Sequence, residues 1–146
     1  MKKPLSGNVT LTEVIAAVEA VAPALEIIDS RYNNFKFSLA DVVADNCSSS
    51  GFTIGARQQA GVDLSNLGMV MEFDGKTVQI GSSAAILGNP YRSLAAAARV
   101  AGEAGKVLPA GSIVLAGAST AAQALTPGVH VKLHCEKLGV AEFSLI

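Results

Sequence analysis

"LGMVMEFDGKTVQIG", residues 67–81, is the stretch on which the fold turns. Two apolar-rich runs, Leu67–Phe73 and Thr77–Ile80, flank Asp74-Gly75. Asp-Gly between such runs is a strong hairpin signal, because both central residues of a type I′ turn need positive φ. An antiparallel hairpin is expected here. A second is expected near the C-terminus, with Val129–Cys135 and Val140–Leu145 joined around Lys137-Leu138-Gly139.

Working back from the first hairpin, Gly51–Gly55 reads as a strand and residues 56–66 as a loop rich in Gln, Gly, Asp and Asn. Ala24–Ile28 is a short apolar run, more like a buried strand than a helix. Between these strands lie a polar loop over 29–38 and a short helix from Leu39 to Val43, capped by Ser38 and ending near Asn46. Thr10 and Glu13 form a capping box that opens a helix with Val14, Ile15, Val18 and Val21 on one face, stopping before Pro23. Downstream, Asn89-Pro90 opens an alanine-rich helix closed by Gly105, and Ser112–Leu115 reads as a strand. Helices and strands do not alternate regularly, so a mixed α+β domain is expected rather than a doubly wound sheet.

The 146 residues point to one domain. Half of them are apolar, enough for a packed core, and the net charge of −1 with scattered basic residues gives no nucleic-acid surface. No run approaches the ~18 apolar residues of a membrane span, and Pro4–Thr12 is too polar for a secretory segment. A cytoplasmic protein is expected. Cys47 and Cys135 make neither a disulfide framework nor a metal knuckle. His130 and His134, four apart on a strand, read as surface histidines rather than a zinc pair.

No phosphate-binding, zinc-protease, dinucleotide or nucleophile-elbow motif occurs. Glu26 is the sharpest candidate. It sits inside the apolar run Leu25–Ile28, where an unpaired carboxylate is costly. It either pairs with Arg31 or Lys36, or serves as a ligand for a hard cation such as Mg²⁺. The residues alone leave both open.

Four blocks, "PALEIIDSRYNNFKF", "DVVADNCSSS", "LGMVMEFDGKTVQIGSSAAILGNP" and "LPAGSIVLAGASTAA", occur here in order. Together they resemble the C-terminal portion of the 2-keto-4-pentenoate hydratase and 4-oxalocrotonate decarboxylase group of the fumarylacetoacetate hydrolase superfamily. The resemblance implies a mostly antiparallel, curved β-roll with short helices packed around it, carried by residues 1–146 as one domain. It implies a Mg²⁺- or Mn²⁺-dependent lyase of aromatic meta-cleavage catabolism. Such an enzyme decarboxylates 4-oxalocrotonate to 2-hydroxypentadienoate through a metal-stabilised enolate; the alternative is a 2-keto-4-pentenoate hydratase. In the family three carboxylates hold the metal, two from an earlier Glu-x-Glu and one that maps onto Glu26. The family's active-site serine maps onto Ser48, and Asn46 and Gly117 fall in substrate-binding blocks.

The earlier Glu-x-Glu, and the family's lysine and aspartate near the substrate, have no counterpart here. The resemblance thus implies a truncated form, with metal weak or absent in this chain alone. An inactive fragment or structural subunit is the alternative of another class. Cys47 replaces the family's usual alanine, Asn89 stands in place of a histidine, Ala116 in place of a frequent threonine, and Val129 in place of a common aspartate. The expected partners are a small 2-oxo acid, further copies of the chain, and a decarboxylase–hydratase complex. A second cationic contact for a dicarboxylate would come from Arg31, Lys36 or Arg57.

Overall fold

A computed structural model describes all 146 residues. The expected hairpin is strands β5 (Gly68–Phe73) and β6 (Lys76–Ser82), named here in chain order after β1–β4 below. Asp74 and Gly75 have φ of 49° and 76°, the two positive values that a type I′ turn requires. Asp74 also fastens the turn to the next strand: its N–H donates to the His130 carbonyl at 2.9 Å and its Oδ1 accepts from the His130 N–H at 3.0 Å. Strands β7 (His130–Cys135) and β8 (Gly139–Ser144) form the second hairpin. The four make one antiparallel sheet in the order β6-β5-β7-β8.

A long antiparallel ribbon lies beside this sheet. It consists of β1 (Ala20–Val21) against β4 (Gln58–Gln59), and β2 (Ala24–Ile28) against β3 (Ser49–Ile54). Pro23 and Gly55 join its two parts through a bond from the Gly55 N–H to the Pro23 carbonyl at 2.9 Å. Gly55 passes so close to the Val140 carbonyl of β8 that a Cβ there would overlap it. Glycine is thus what allows the ribbon to pack on the sheet. Every strand pair is antiparallel, and the sheets do not close into a barrel.

There are three α-helices, of which α1 and α3 pack together. In α1 (Leu11–Ala17) the Thr10–Glu13 capping box forms as expected, but the helix stops at Ala17, well before Pro23. The Ala17 carbonyl is taken by the N–H groups of Lys2 and Lys3, at 2.7 and 3.2 Å, and Val18 turns extended into the core. In α2 (Leu39–Ala44) Ser38 and Asp41 form a second capping box. Helix α3 (Pro90–Glu103) starts at an Asn89 cap. It ends in a Schellman motif, with the Gly105 N–H on the Gly102 carbonyl and the Lys106 N–H on the Ala101 carbonyl. The core packs Val14, Ala17 and Val18 against Leu94 and Ala98 of α3, and against Leu67 and Cys135 of the sheet.

Ser112–Leu115 is not a strand. No backbone group over residues 113–125 bonds to another backbone group. The apolar pattern of a strand is present, but nothing in this chain lies alongside to pair with it.

Candidate functional site

Ribbon, sheet and the unpaired 112–125 segment surround a cavity of about 980 Å³. Of its 47 lining residues 33 are hydrophobic, so the few charged groups stand out: Glu19, Glu26, Asp29 and Arg57. Glu26 is the third of five residues in β2, directly opposite Phe52 of β3. It lies in the middle of the two-stranded ribbon. Its side chain is exposed and makes no hydrogen bond or ion pair. The pairing with Arg31 or Lys36 does not form.

Arg31 is engaged elsewhere. Its guanidinium pairs with Asp45, and its backbone N–H donates to Asp45 Oδ2 at 3.2 Å. Asp45 is buried, and the Arg31 guanidinium holds its carboxyl below the usual carboxylate range. The Ser48 hydroxyl donates to the same Oδ2 at 3.4 Å. Asn46, Cys47 and Ser48 follow with φ of 51°, 55° and 58°, three successive non-glycine residues in the left-handed region. Such backbone costs of order 1–3 kcal/mol per residue and persists only where the surroundings hold it. Asp45 and a 2.8 Å bond from the Asp29 N–H to the Ser48 carbonyl are the holding contacts.

The structure thus separates the expected site residues. Glu26 and Gly117 line the cavity; Asn46 and Ser48 do not. Ser48 is buried and Asn46 exposed, both in the turn beside Asp29, which does line it. The Ser48 hydroxyl is turned toward Asp45 Oδ2, 3.4 Å away.

No three His, Cys, Asp or Glu side chains gather into a metal-binding group. Glu26 has the chemistry of one Mg²⁺ ligand, a free hard oxygen donor. One carboxylate does not make a site for an ion that demands six oxygens and sheds its waters reluctantly. His130 Nδ1 lies 3.0 Å from Ser144 Oγ, and His134 faces Glu72 at 3.5 Å. Cys47 is exposed; Cys135 is buried, and its burial raises the thiol pKa. The sequence reading missed two groups: Asp45, whose partner is 14 residues away, and Tyr91, a cavity-lining residue whose hydroxyl is buried without a hydrogen-bond partner. Neither has a local signal.

The model of the fumarylacetoacetate (FAA) hydrolase C-terminal family matches residues 2–146. The chain belongs to this family. It is 62% identical over 142 residues to a 4-oxalocrotonate decarboxylase of Pseudomonas sp, covering 97% of this chain and 56% of that protein. It is 38% identical over 132 residues to a 2-keto-4-pentenoate hydratase of Paraburkholderia xenovorans (strain LB400), covering 89% of this chain and 49% of that protein. The solved 4-oxalocrotonate decarboxylase from Pseudomonas putida G7, complexed with magnesium and adipate, superposes with a TM-score of 0.94 at 43% identity. That match covers 99% of this chain and 56% of the other. The family's fold is therefore that of this chain, and the chain spans about half the length of the curated relatives it matches.

Proposed function

We propose that this chain carries the C-terminal part of a cytoplasmic, Mg²⁺-dependent lyase that decarboxylates 4-oxalocrotonate. The observation that carries the reading is the gap in similarity, 62% identity to a decarboxylase against 38% to a hydratase. Glu26 supplies one ligand of the ion. Its free carboxylate in a mostly apolar cavity supports that role, since no protein cation neutralises it. When bound, Mg²⁺ supplies Lewis acidity at the 2-oxo acid end of the substrate. Loss of CO₂ would leave its bonding electron pair as negative charge at that end of the substrate, to be taken up by a proton. The apolar wall excludes water and strengthens the electrostatic stabilisation of that charge.

Gly117 contributes to the substrate-facing wall. Asn46 and Ser48 act from the strained turn next to Asp29. The partners are a 2-oxo acid, further copies of the chain, and a hydratase in complex. Relatives named hydratases support a second reading, water addition to a 2-hydroxypentadienoate.

The test fuses this chain behind the part of the 62%-identical Pseudomonas relative that it does not match. The fusion should release CO₂ from 4-oxalocrotonate only with Mg²⁺, and Glu26→Gln should abolish this. Hydration of the pentadienoate without CO₂ release would give the second reading. Neither activity would leave a structural subunit.

A further inference from the structure

Among the residues lining the cavity Arg57 is the one lysine or arginine, alongside three carboxylates, Glu19, Glu26 and Asp29. Three basic residues were open as contacts for a second substrate carboxylate, and the structure separates them. Arg31 is paired with Asp45, and Lys36 does not line the cavity. Arg57 lines it, is exposed, and has no hydrogen-bond or ion-pair partner. A free guanidinium is a planar fork that binds a carboxylate through two parallel hydrogen bonds.

Its placement along the ribbon fits a two-ended ligand. Val21 pairs with Gln58, which sets Arg57 across from Ala22, on the strand that continues through β2 to Glu26. Glu26 lies four residues beyond Ala22, about 13 Å of extended backbone. The whole run from Val18 to Asp29 lines the cavity, Ala22 and Glu26 among it. Glu26 and Arg57 thus stand apart along one mostly apolar wall, with Glu19 on the Arg57 side. That arrangement suits a ligand with a carboxylate at each end and an uncharged middle.

We infer that Arg57 binds the second carboxylate of a dicarboxylic 2-oxo acid, the one remote from Glu26, and so selects dicarboxylates over monocarboxylates. This rests on the proposed metal-centred reading only for the Glu26 end. A monocarboxylic pentadienoate would have nothing to give Arg57, so the residue also favours the decarboxylase over the hydratase reading.

The experiment titrates the fusion protein described above, in which the metal end is complete, with adipate and with hexanoate, followed by NMR, with and without excess Mg²⁺. Wild type should prefer adipate by roughly tenfold, the size of one charge-assisted contact. Arg57→Gln should remove the preference and leave hexanoate binding and thermal stability unchanged. Arg57→Lys should keep part of it, because the charge remains and the fork is lost. An unchanged preference in Arg57→Gln would overturn the assignment, whatever Mg²⁺ does. An Arg57-dependent preference that ignores both Mg²⁺ and Glu26→Gln would support Arg57 and sink the metal-centred reading. If wild type binds adipate no better than hexanoate, or binds neither, Arg57 is not a carboxylate contact.

Discussion

Ser83 shows how a polar residue in a catalytic-looking block serves structure. Its buried hydroxyl donates to the Leu64 carbonyl and accepts from the Leu67 N–H, both at 2.7 Å, fixing the loop before β5 to the end of β6. Ser83→Ala leaves both backbone groups unpaired inside the protein, and should cost about 2 kcal/mol in denaturant unfolding. Tyr91 is the converse. Its hydroxyl is buried without a partner, so Tyr91→Phe should leave stability unchanged or raise it by up to about 1 kcal/mol. A clear loss in the same assay would mean that the hydroxyl has a partner in solution. Asp45 gives the pH dependence. Its carboxyl is held low by Arg31 in the folded protein, so its contribution is present above the ordinary carboxylate pKa. That contribution is lost as pH falls through the depressed folded value. The turn at 46–48 should therefore loosen in acid, and Asp45→Asn should loosen it already at neutral pH. Proteolysis within residues 29–48 reads both.

At the scale of elements, signals written within a few residues formed what they encode: two capping boxes, the Asn89-Pro90 start, the Gly105 end and the Asp74-Gly75 turn. Elements whose ends depend on a distant partner came out differently. Helix α1 is cut short because Lys2 and Lys3 take the Ala17 carbonyl, and Ser112–Leu115 stays irregular because no strand lies beside it. Amide exchange should show this, with residues 113–118 unprotected while β5 and β7 are slow. Slow exchange there would reveal a pairing partner. The ribbon offers a sharper test. Gly55→Ala would press a methyl into the Val140 carbonyl and should destabilise by about 1–3 kcal/mol, through loss of ribbon–sheet packing.

The whole molecule exposes more surface than a compact monomer of its mass. It has 8734 Å², against about 7,000 Å² expected for 14.9 kDa. The excess, about 1,700 Å², is about twice the ~800 Å² that one partner buries in a standard interface. With Phe52, Ile80 and Ile113 among the exposed apolar residues, self-association should appear in sedimentation as protein concentration rises. A single monomer species at high concentration would refute this. The same openness governs metal. A lone carboxylate cannot repay the dehydration of Mg²⁺, so calorimetry on this chain should find no tight site. Micromolar affinity lost in Glu26→Gln would show that other ligands complete the centre.

The sequence by itself determined the hairpins, the helix caps, the α+β class and, through four ordered blocks, the family. These are local features, decided by backbone φ, capping side chains and apolar spacing within one or two turns. Only the tertiary structure decided that Arg31 goes to Asp45 and leaves Glu26 free, and that Ser48 turns to Asp45 instead of the cavity. It also left Arg57, of three candidate cations, on the cavity wall. Each of those outcomes is a competition between partners many residues apart. A carboxylate's choice among several cations depends on which of them the fold brings within a few ångströms, and no spacing along the chain encodes that distance.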